Sequence, residues 1–399
     1  MHRQEVARAR KVVATLASVA MLTGAAGCGS VVSGQAVRPK PDLSGLQVGN
    51  YPTEPIQYGT ADDNEAARYR EGERLGDFVA LPFEVDPAYS RRVTGTGGPV
   101  VLNRKDMQSF VINDTFDEVA ADLRAGWVHG WATEGDPTTS QQMSIAVLMF
   151  PDAPTAERVA TGLEHDDFTF NTANQPVQIP GYPHSKAHWR PGIASLGSWT
   201  SSDRYVVFIK YDDYSGKSDL PTMVQRTEAL LDIQMPLLDE FEPTPADRLE
   251  NIELDPDRIL ALALPKSDQV AAMLGRSSAF RGRGALYFLG LSSLEFLDKG
   301  QVSAIALAET VVLRSKSAQG AETLWELLRP DDTSDSQPLD APTGMADGRV
   351  ECFQRKVEEY QRPSNFCVLQ TGKYFAHVEG AQIQDLHQKT SAQYALLAR

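Results

Sequence analysis

Trp127, His129 and Trp131 are the side chains whose spacing most directly suggests binding chemistry. They alternate within the stretch GWVHGWAT, so on a β-strand all three would point to the same face. Two neighbouring indoles can stack on a sugar ring or another flat ligand, which makes this face a possible ligand wall. The alternative is core filling beneath a helix, because Trp carries a large apolar surface. The sequence leaves both interpretations open and favours the core.

The spacing of the histidines does not indicate a catalytic or metal site. His184 and His188 have the i, i+4 spacing of a helical metal pair, but prolines precede them and no Glu stands between them. His377 and His387 fall in the last expected strand and helix, where structural histidines are the simplest interpretation. The Gly-Lys-Ser stretch lacks the earlier glycine of a phosphate loop, and no G-x-S-x-G elbow is present. We therefore expect no catalytic residue, no metal and no cofactor.

The amino end has the layout of an export signal. Four basic side chains and one Glu lie in the first eleven residues, and an uncharged, Ala/Val/Leu-rich run follows from Val12 to Gly27. The exit Ala25-Ala26-Gly27-Cys28 resembles the lipobox of bacterial lipoproteins, in which the Cys thiol carries diacylglycerol and becomes the new amino terminus. The sequence predicts a signal peptide over 1–27 and lipidation of Cys28, with two acyl chains as a firm anchor. The alternative is an ordinary secretory signal with an incidental cysteine.

Two cysteines remain once Cys28 is assigned. Cys352 and Cys367 are fifteen positions apart, and an exported protein with two such cysteines is expected to pair them. Two buried free thiols are the alternative. A metal site is not expected, since two sulfurs fall short of the usual four ligands.

Composition excludes several classes of function. Removing residues 1–27 leaves 34 Lys+Arg against 52 Asp+Glu, a net charge of −18. This acidic balance argues against nucleic-acid binding and against adhesion to anionic lipid through a basic patch. The acyl group would then be the only membrane anchor.

Residues 28–55 are rich in Gly, Ser and Pro without a sustained period, which predicts a flexible tether.

The rest of the chain reads as an internal repeat. The stretch 150–167 parallels 315–332, with candidate N-caps Asp152 and Ser317 and a Leu followed by an Asp-Asp pair in each copy. RYVVFIKY (204–211) and KYFAHVEG (373–380) both look like a strand that leads into a final helix. Apolar runs that end in Leu-Pro open both copies, and we expect them to be the first strands.

A second shared feature is a pair of S/T-x-x-E capping boxes. They begin at Thr115 and Ser292, and their helices are expected to end near Gly126 and Gly300. The sequence thus predicts an α+β protein of two similar modules, 56–242 and 252–399. Each module would be an antiparallel sheet with helices packed on one face, and the second would carry the disulfide.

These residues also carry a family resemblance. The lipobox, LQVGNYPTEP, LGDFVALPFEVDP, AGWVHGWAT and KYFAHVEGAQIQDLHQKTSAQYALLA look like a family of actinobacterial envelope lipoproteins that carries a domain of unknown function. The resemblance implies an anchored envelope location, a bipartite fold and paired late cysteines, and it lends no activity. At fold level the pattern is also similar to extracellular sensor domains of mycobacterial kinases.

The expected function follows from an anchor and a duplicated scaffold without a reaction centre. We expect a non-enzymatic protein at the extracytoplasmic face of the cell membrane, which binds an envelope ligand or a protein partner through a cleft between its modules. The alternative is a cell-wall hydrolase whose site is assembled from scattered Asp, Glu or His residues, with the acid pairs 166–167 and 331–332 as candidates. A carboxylate pair with a raised pKa in a cleft would favour that alternative.

Overall fold

The strands of the chain form two antiparallel sheets. The structure, a computed structural model, describes residues 43–93, 98–108, 110–111, 114–267, 276–331, 336–345, 348–355 and 364–398. The predicted signal peptide and Cys28 lie outside these residues. All the described residues belong to one compact unit of the chain.

The first sheet and its helices precede residue 241. The helices are α1 (Asn64–Gly76), α2 (Pro82–Val85), α3 (Arg104–Met107), α4 (Phe116–Val119), α5 (Ala153–Thr169) and α6 (Leu220–Glu240). The strands are β1 (Arg91–Val93), β2 (Val100–Val101), β3 (Ala125–Ala132), β4 (Gln141–Met149), β5 (Gln175–Val177), β6 (Lys186–Trp189), β7 (Ser195–Ser202) and β8 (Tyr205–Asp213).

The second sheet and its helices follow two short 3₁₀ turns at Leu249–Asn251 and Leu260–Leu262. The strands are β9 (Ser278–Phe280), β10 (Val302–Leu307), β11 (Thr310–Ser315), β12 (Ser336–Leu339), β13 (Arg349–Arg355), β14 (Asn365–Thr371) and β15 (Tyr374–Gly380). The helices are α7 (Arg283–Leu289), α8 (Glu295–Lys299), α9 (Ala318–Leu328) and α10 (Ile383–Leu397). No helix in the described ranges combines the length and the apolar character that crossing a membrane requires.

The two sheets have the same strand order. The first runs β1-β3-β4-β8-β7-β6-β5, with β2 added beside β3, and the second runs β9-β10-β11-β15-β14-β13-β12. Every neighbouring pair is antiparallel. The prediction of an α+β fold with two similar modules is confirmed.

Helices cover both faces of each sheet rather than the one face expected. Successive strand residues point to opposite faces. In the second sheet Val368 packs in one core cluster with Leu324 of α9, whereas its neighbour Cys367 packs with Leu386 of α10. In the first sheet α5 and α6 take the corresponding positions. A long amphipathic helix after each hairpin therefore has its own sheet face to bury against.

The predicted helix starts are correct where the cap is purely local. The backbone N–H of Thr155 donates to Asp152, and that of Gly320 donates to Ser317, so both N-caps are confirmed. The Thr115 box is wrong: its hydroxyl donates to Asp166 instead of capping α4. That helix ends at Val119, and Gly126 lies inside β3.

Two other local predictions differ from the structure. The second box holds only in part, because Ser293 rather than Ser292 accepts from the N–H of Glu295, although Gly300 does follow the helix. The apolar runs near residues 82 and 260 form short helical turns and not strands.

The predicted tether is packed over its second part. Residues 43–60, which we call the strap, lie against the second module, with Leu43 and Leu46 next to one core cluster and Val48 and Tyr51 next to another. The Tyr51 hydroxyl donates to Asp385 at 2.5 Å. From Leu43 onward the chain is therefore fastened to the fold.

The two modules share one hydrophobic core. Trp127 of β3 packs edge-to-face on Phe280 of β9, and the Asp77 carboxylate accepts the N–H groups of Arg281, Gly282 and Gly284 at the start of α7. A residue of the first module thus caps a helix of the second.

Candidate functional site

The aromatic face predicted as core or ligand wall lies in the core. Trp127, His129 and Trp131 are each at most 1% exposed. Trp131 meets Phe83 edge-to-face at 5.1 Å between ring centroids. The ligand-wall alternative therefore has no exposed ring surface to offer in this structure.

His129 takes a fixed tautomer within that core. The Trp127 indole N–H donates to His129 Nδ1 at 3.1 Å, and His129 Nε2 lies 2.9 Å from the Ala80 carbonyl oxygen. An indole N–H can only donate and a carbonyl can only accept, so the proton sits on Nε2. Burial lowers the pKa of His129 to about 4, which keeps the imidazole neutral.

The disulfide predicted from the spacing is present. Cys352 of β13 and Cys367 of β14 are directly opposite each other, bonded, and buried. The residue pair at the same position in the first module is Ala187 and Ser198. The bridge is thus specific to the second module.

The acid pair 166–167 does not act as a unit. Asp166 is engaged by Thr115, whereas Asp167 accepts from the Trp199 indole at 3.4 Å and lies 3.7 Å from His188 Nε2. Burial raises the pKa of Asp167, and the His188 charge opposes this. Glu164 lies 3.4 Å from the other ring nitrogen of His188. The acid pair 331–332 lies partly outside the described residues.

Other polar candidates have structural roles. His188 lies on strand β6 and not on a helix with His184, and His387 Nε2 lies 2.8 Å from the Asp340 carbonyl oxygen. Among the described residues, no group of three or more His, Cys, Asp or Glu side chains is arranged to hold a metal ion.

A cleft of about 490 Å³ opens on the second module, and we call it the His377 cleft. Its floor consists of side chains from the two central strands: Val311, Leu313, Phe375 and His377. Its walls come from the ends of α7 and α9: Phe288, Leu289, Leu291 and Leu328. Ala308 and four charged residues complete the lining: Lys266, Glu309, Arg355 and Glu379. The volume is typical of small-molecule sites, which are mostly apolar with a few polar groups.

His377 is the polar group on this apolar floor. It stacks on Phe366 at 5.1 Å, its side chain is 25% exposed, and Glu379 Oε1 is 4.0 Å from Nε2. Within the described part of the chain, neither ring nitrogen makes a hydrogen bond. Burial lowers the pKa of His377, and the nearby Glu379 opposes this. A neutral imidazole offers a ligand one donor and one acceptor.

The first module shows why the floor of the cleft is open. His377 is the fourth residue of β15 and pairs with Val311, and the fourth residue of β8, Phe208, pairs with Ala146. Phe208 and Ala146 are at most 1% exposed, because they share a core cluster with side chains between β2 and β3 such as Phe110.

The matching segment of the second module packs partly on the first module. Helix α7 contacts α1 of the first module. Gly284 is so close to the Gly76 backbone that an added Cβ would lie 3.2 Å from it, and the salt bridge between Arg283 and Glu84 fixes the same contact. The start of α7 is therefore held at the junction while its end forms a wall of the cleft, and Val311 and His377 stay partly exposed.

Sequence reasoning missed the cleft, because its lining comes from six separate stretches of the chain. One signal was present in KYFAHVEG, where His377 takes an inward position that alternation assigns to an apolar residue.

The expected binding cleft between the modules is largely replaced by the shared core. A cavity of about 400 Å³ remains there, and part of its charged lining is engaged in ion pairs such as Arg281 with Asp257.

Comparison with known protein families shows which family the chain belongs to. Residues 58–254 match the N-terminal part and residues 259–399 the C-terminal part of a family described as a domain of unknown function, DUF7373. The two matches leave out only residues 1–57 and 255–258, so the chain belongs to this family. No curated protein matches it.

Two solved structures show distant likeness. The extracellular domain of PknH from Mycobacterium tuberculosis is 16% identical, with 41% of this chain and 95% of that chain covered and a TM-score of 0.28. The di-domain ARO/CYC StfQ from the steffimycin biosynthetic pathway is 10% identical, with 83% of this chain and 94% of that chain covered and a TM-score of 0.16. Likeness of this size carries no argument about function.

Proposed function

We propose that this protein is a lipid-anchored lipoprotein of the cell envelope that binds a ligand in the His377 cleft without transforming it. The observation that carries the binding role is a cleft in which Val311 and His377 are only partly covered. Among the residues that the structure describes, the His377 imidazole makes no hydrogen bond. Apolar surface next to convergent polar groups is the usual form of a binding site. The same face of the first module is closed by its own side chains.

The proposed location rests on the amino end of the sequence. A basic start, an uncharged run and Ala-Gly-Cys28 are the features of an exported and lipidated chain. The strap starts at Leu43, fifteen residues after Cys28. Fifteen extended residues reach at most about 50 Å, so the anchor would keep the second module within that distance of the bilayer.

Ligand-detected NMR on the mature protein tests the binding role. Pools of envelope glycans, lipids and lysate fractions are compared on the wild type and on Val311→Trp, which fills the cleft floor. Ile193→Trp is the control, because it adds an indole at an exposed position of the first module. We expect a signal with the wild type and the control and none with the Val311 variant. Silence of every pool on the wild type would refute the proposal.

A cell-wall hydrolase is the second candidate, and Asp167 is the observation that favours it. Its carboxyl has a raised pKa and lies beside His188, as expected of a proton donor. Release of soluble fragments from cell-wall material by the wild type, lost in Asp167→Asn, would support hydrolysis and contradict a purely binding role. Equal release by both proteins, or none, would remove this candidate.

A further inference from the structure

We infer that the ligand of the His377 cleft is an uncharged amphiphile: an apolar chain or ring over the floor, with one hydroxyl or amide group against the His377 imidazole. This inference rests on the proposed binding role and adds the chemical class of the ligand. The ligand class follows from the apolar surface and hydrogen-bonding groups that the cleft leaves open to a ligand, and from the charged groups that are already paired.

The apolar part of the ligand is set by the floor and walls. Of the floor residues, Leu313 and Phe375 are only 2% exposed, whereas Val311 is partly exposed. The accessible apolar surface therefore comes from Val311 and from the ends of α7 and α9, where Phe288 and Leu328 are partly exposed. Covering this surface removes apolar area from water, which is the main source of affinity in such a site.

The hydrogen-bonding group of the ligand is set by His377. Its two ring nitrogens are without hydrogen bonds among the described residues, and its ring stacks on Phe366. A hydroxyl or amide can donate to one nitrogen or accept from the other. Leaving these groups without a partner in a covered cleft would cost affinity, so a purely apolar ligand is a poorer fit.

The charges of the cleft argue against an ionic ligand. Its lining holds two cations and two anions: Lys266, Arg355, Glu309 and Glu379. Arg355 is paired with Glu379 at 3.0 Å, and Glu309 with Lys389 at 2.6 Å. The Lys266 ammonium donates to the Arg276 carbonyl oxygen at 3.1 Å. A charged ligand group would have to compete with one of these contacts or stay unpaired over an apolar floor, and an unpaired buried charge is costly.

Three probes with the same chain test this inference: octan-1-ol, octanoate and octylammonium. Each is titrated at pH 7.5 into the protein with ¹³C-labelled methyl groups, and the shifts of the Val311 and Leu313 methyls are followed. We expect the alcohol to bind the wild type at least tenfold more tightly than either ion. Equal or tighter binding of an ion would overturn the inference and leave the binding role standing. If no probe shifts these methyls, both the cleft as a binding site and the inference fall.

Substitutions at His377 test the placement of the hydroxyl. His377→Phe introduces the residue type that the first module has at this position, and we expect it to lower the affinity for octan-1-ol about tenfold, which is about 1.4 kcal/mol. His377→Gln keeps a donor and an acceptor and should restore most of that affinity. Wild-type affinity in the Phe variant would show that the imidazole does not hold the head group. A Gln variant as weak as the Phe variant would show the same.

Discussion

Acid should weaken this fold through His129, the imidazole buried where the two modules meet. Protonation would put a second N–H at Nδ1, opposite the indole N–H of Trp127, which is 3.1 Å away. The Tyr287 ring stacks over the imidazole, and the Arg283 charge opposes protonation as well. The folded protein therefore favours the neutral ring.

The size of the effect follows from the two pKa values. The pKa of His129 is about 4 in the fold and about 6.5 in an unfolded chain. Because the folded pKa is the lower one, the stability is fully present above pH 6.5 and is lost as the pH falls toward 4. The loss from this residue is about 2 kcal/mol at pH 5 and about 3.4 kcal/mol below pH 4.

Urea unfolding followed by Trp fluorescence measures this loss between pH 7.5 and 5. His129→Gln is the informative variant, since the amide can still accept from Trp127 and donate to Ala80 but does not titrate. We expect its free energy of unfolding to fall about 2 kcal/mol less than that of the wild type over this range. His184→Gln, at an exposed loop position, is the control and should follow the wild type. Parallel pH curves for the wild type and the His129 variant would refute the reasoning.

Three further changes have definite expected results. Replacing Cys352 and Cys367 by Ser should lower the free energy of unfolding by about 3 kcal/mol for a fifteen-residue separation, and a wild type that is equally stable with and without a reductant would contradict this. Asp77→Ala removes the acceptor of three N–H groups at the start of α7 and should cost about 3 kcal/mol; an unchanged midpoint of urea unfolding would show that water replaces the carboxylate. Cys28→Ser should abolish palmitate labelling and release the protein from the membrane fraction, and unaltered fractionation would contradict lipidation.

The repeat in the sequence was enough to predict the fold class. Apolar alternation and the N-caps Asp152 and Ser317 depend only on neighbours a few residues away. Residues distant in sequence do not change them, so they can be predicted from the sequence. The pairing of Cys352 with Cys367 was also within reach, because two cysteines of a chain that the sequence predicts to be exported have few alternatives. The Thr115 prediction was wrong because its hydroxyl takes a tertiary partner, Asp166, in place of the local cap.

By itself, the sequence determined the two-module α+β organisation and the cystine, because each of these depends on short stretches of residues. It also predicts the anchor at Cys28. The tertiary structure decided which face of the molecule could bind anything. Trp127 and Trp131 are closed in by Phe280 and Phe83, whereas His377 is left partly exposed because α7 packs on the first module. No local sequence pattern predicts which of these side chains is buried, because their burial depends on where the two modules pack against each other.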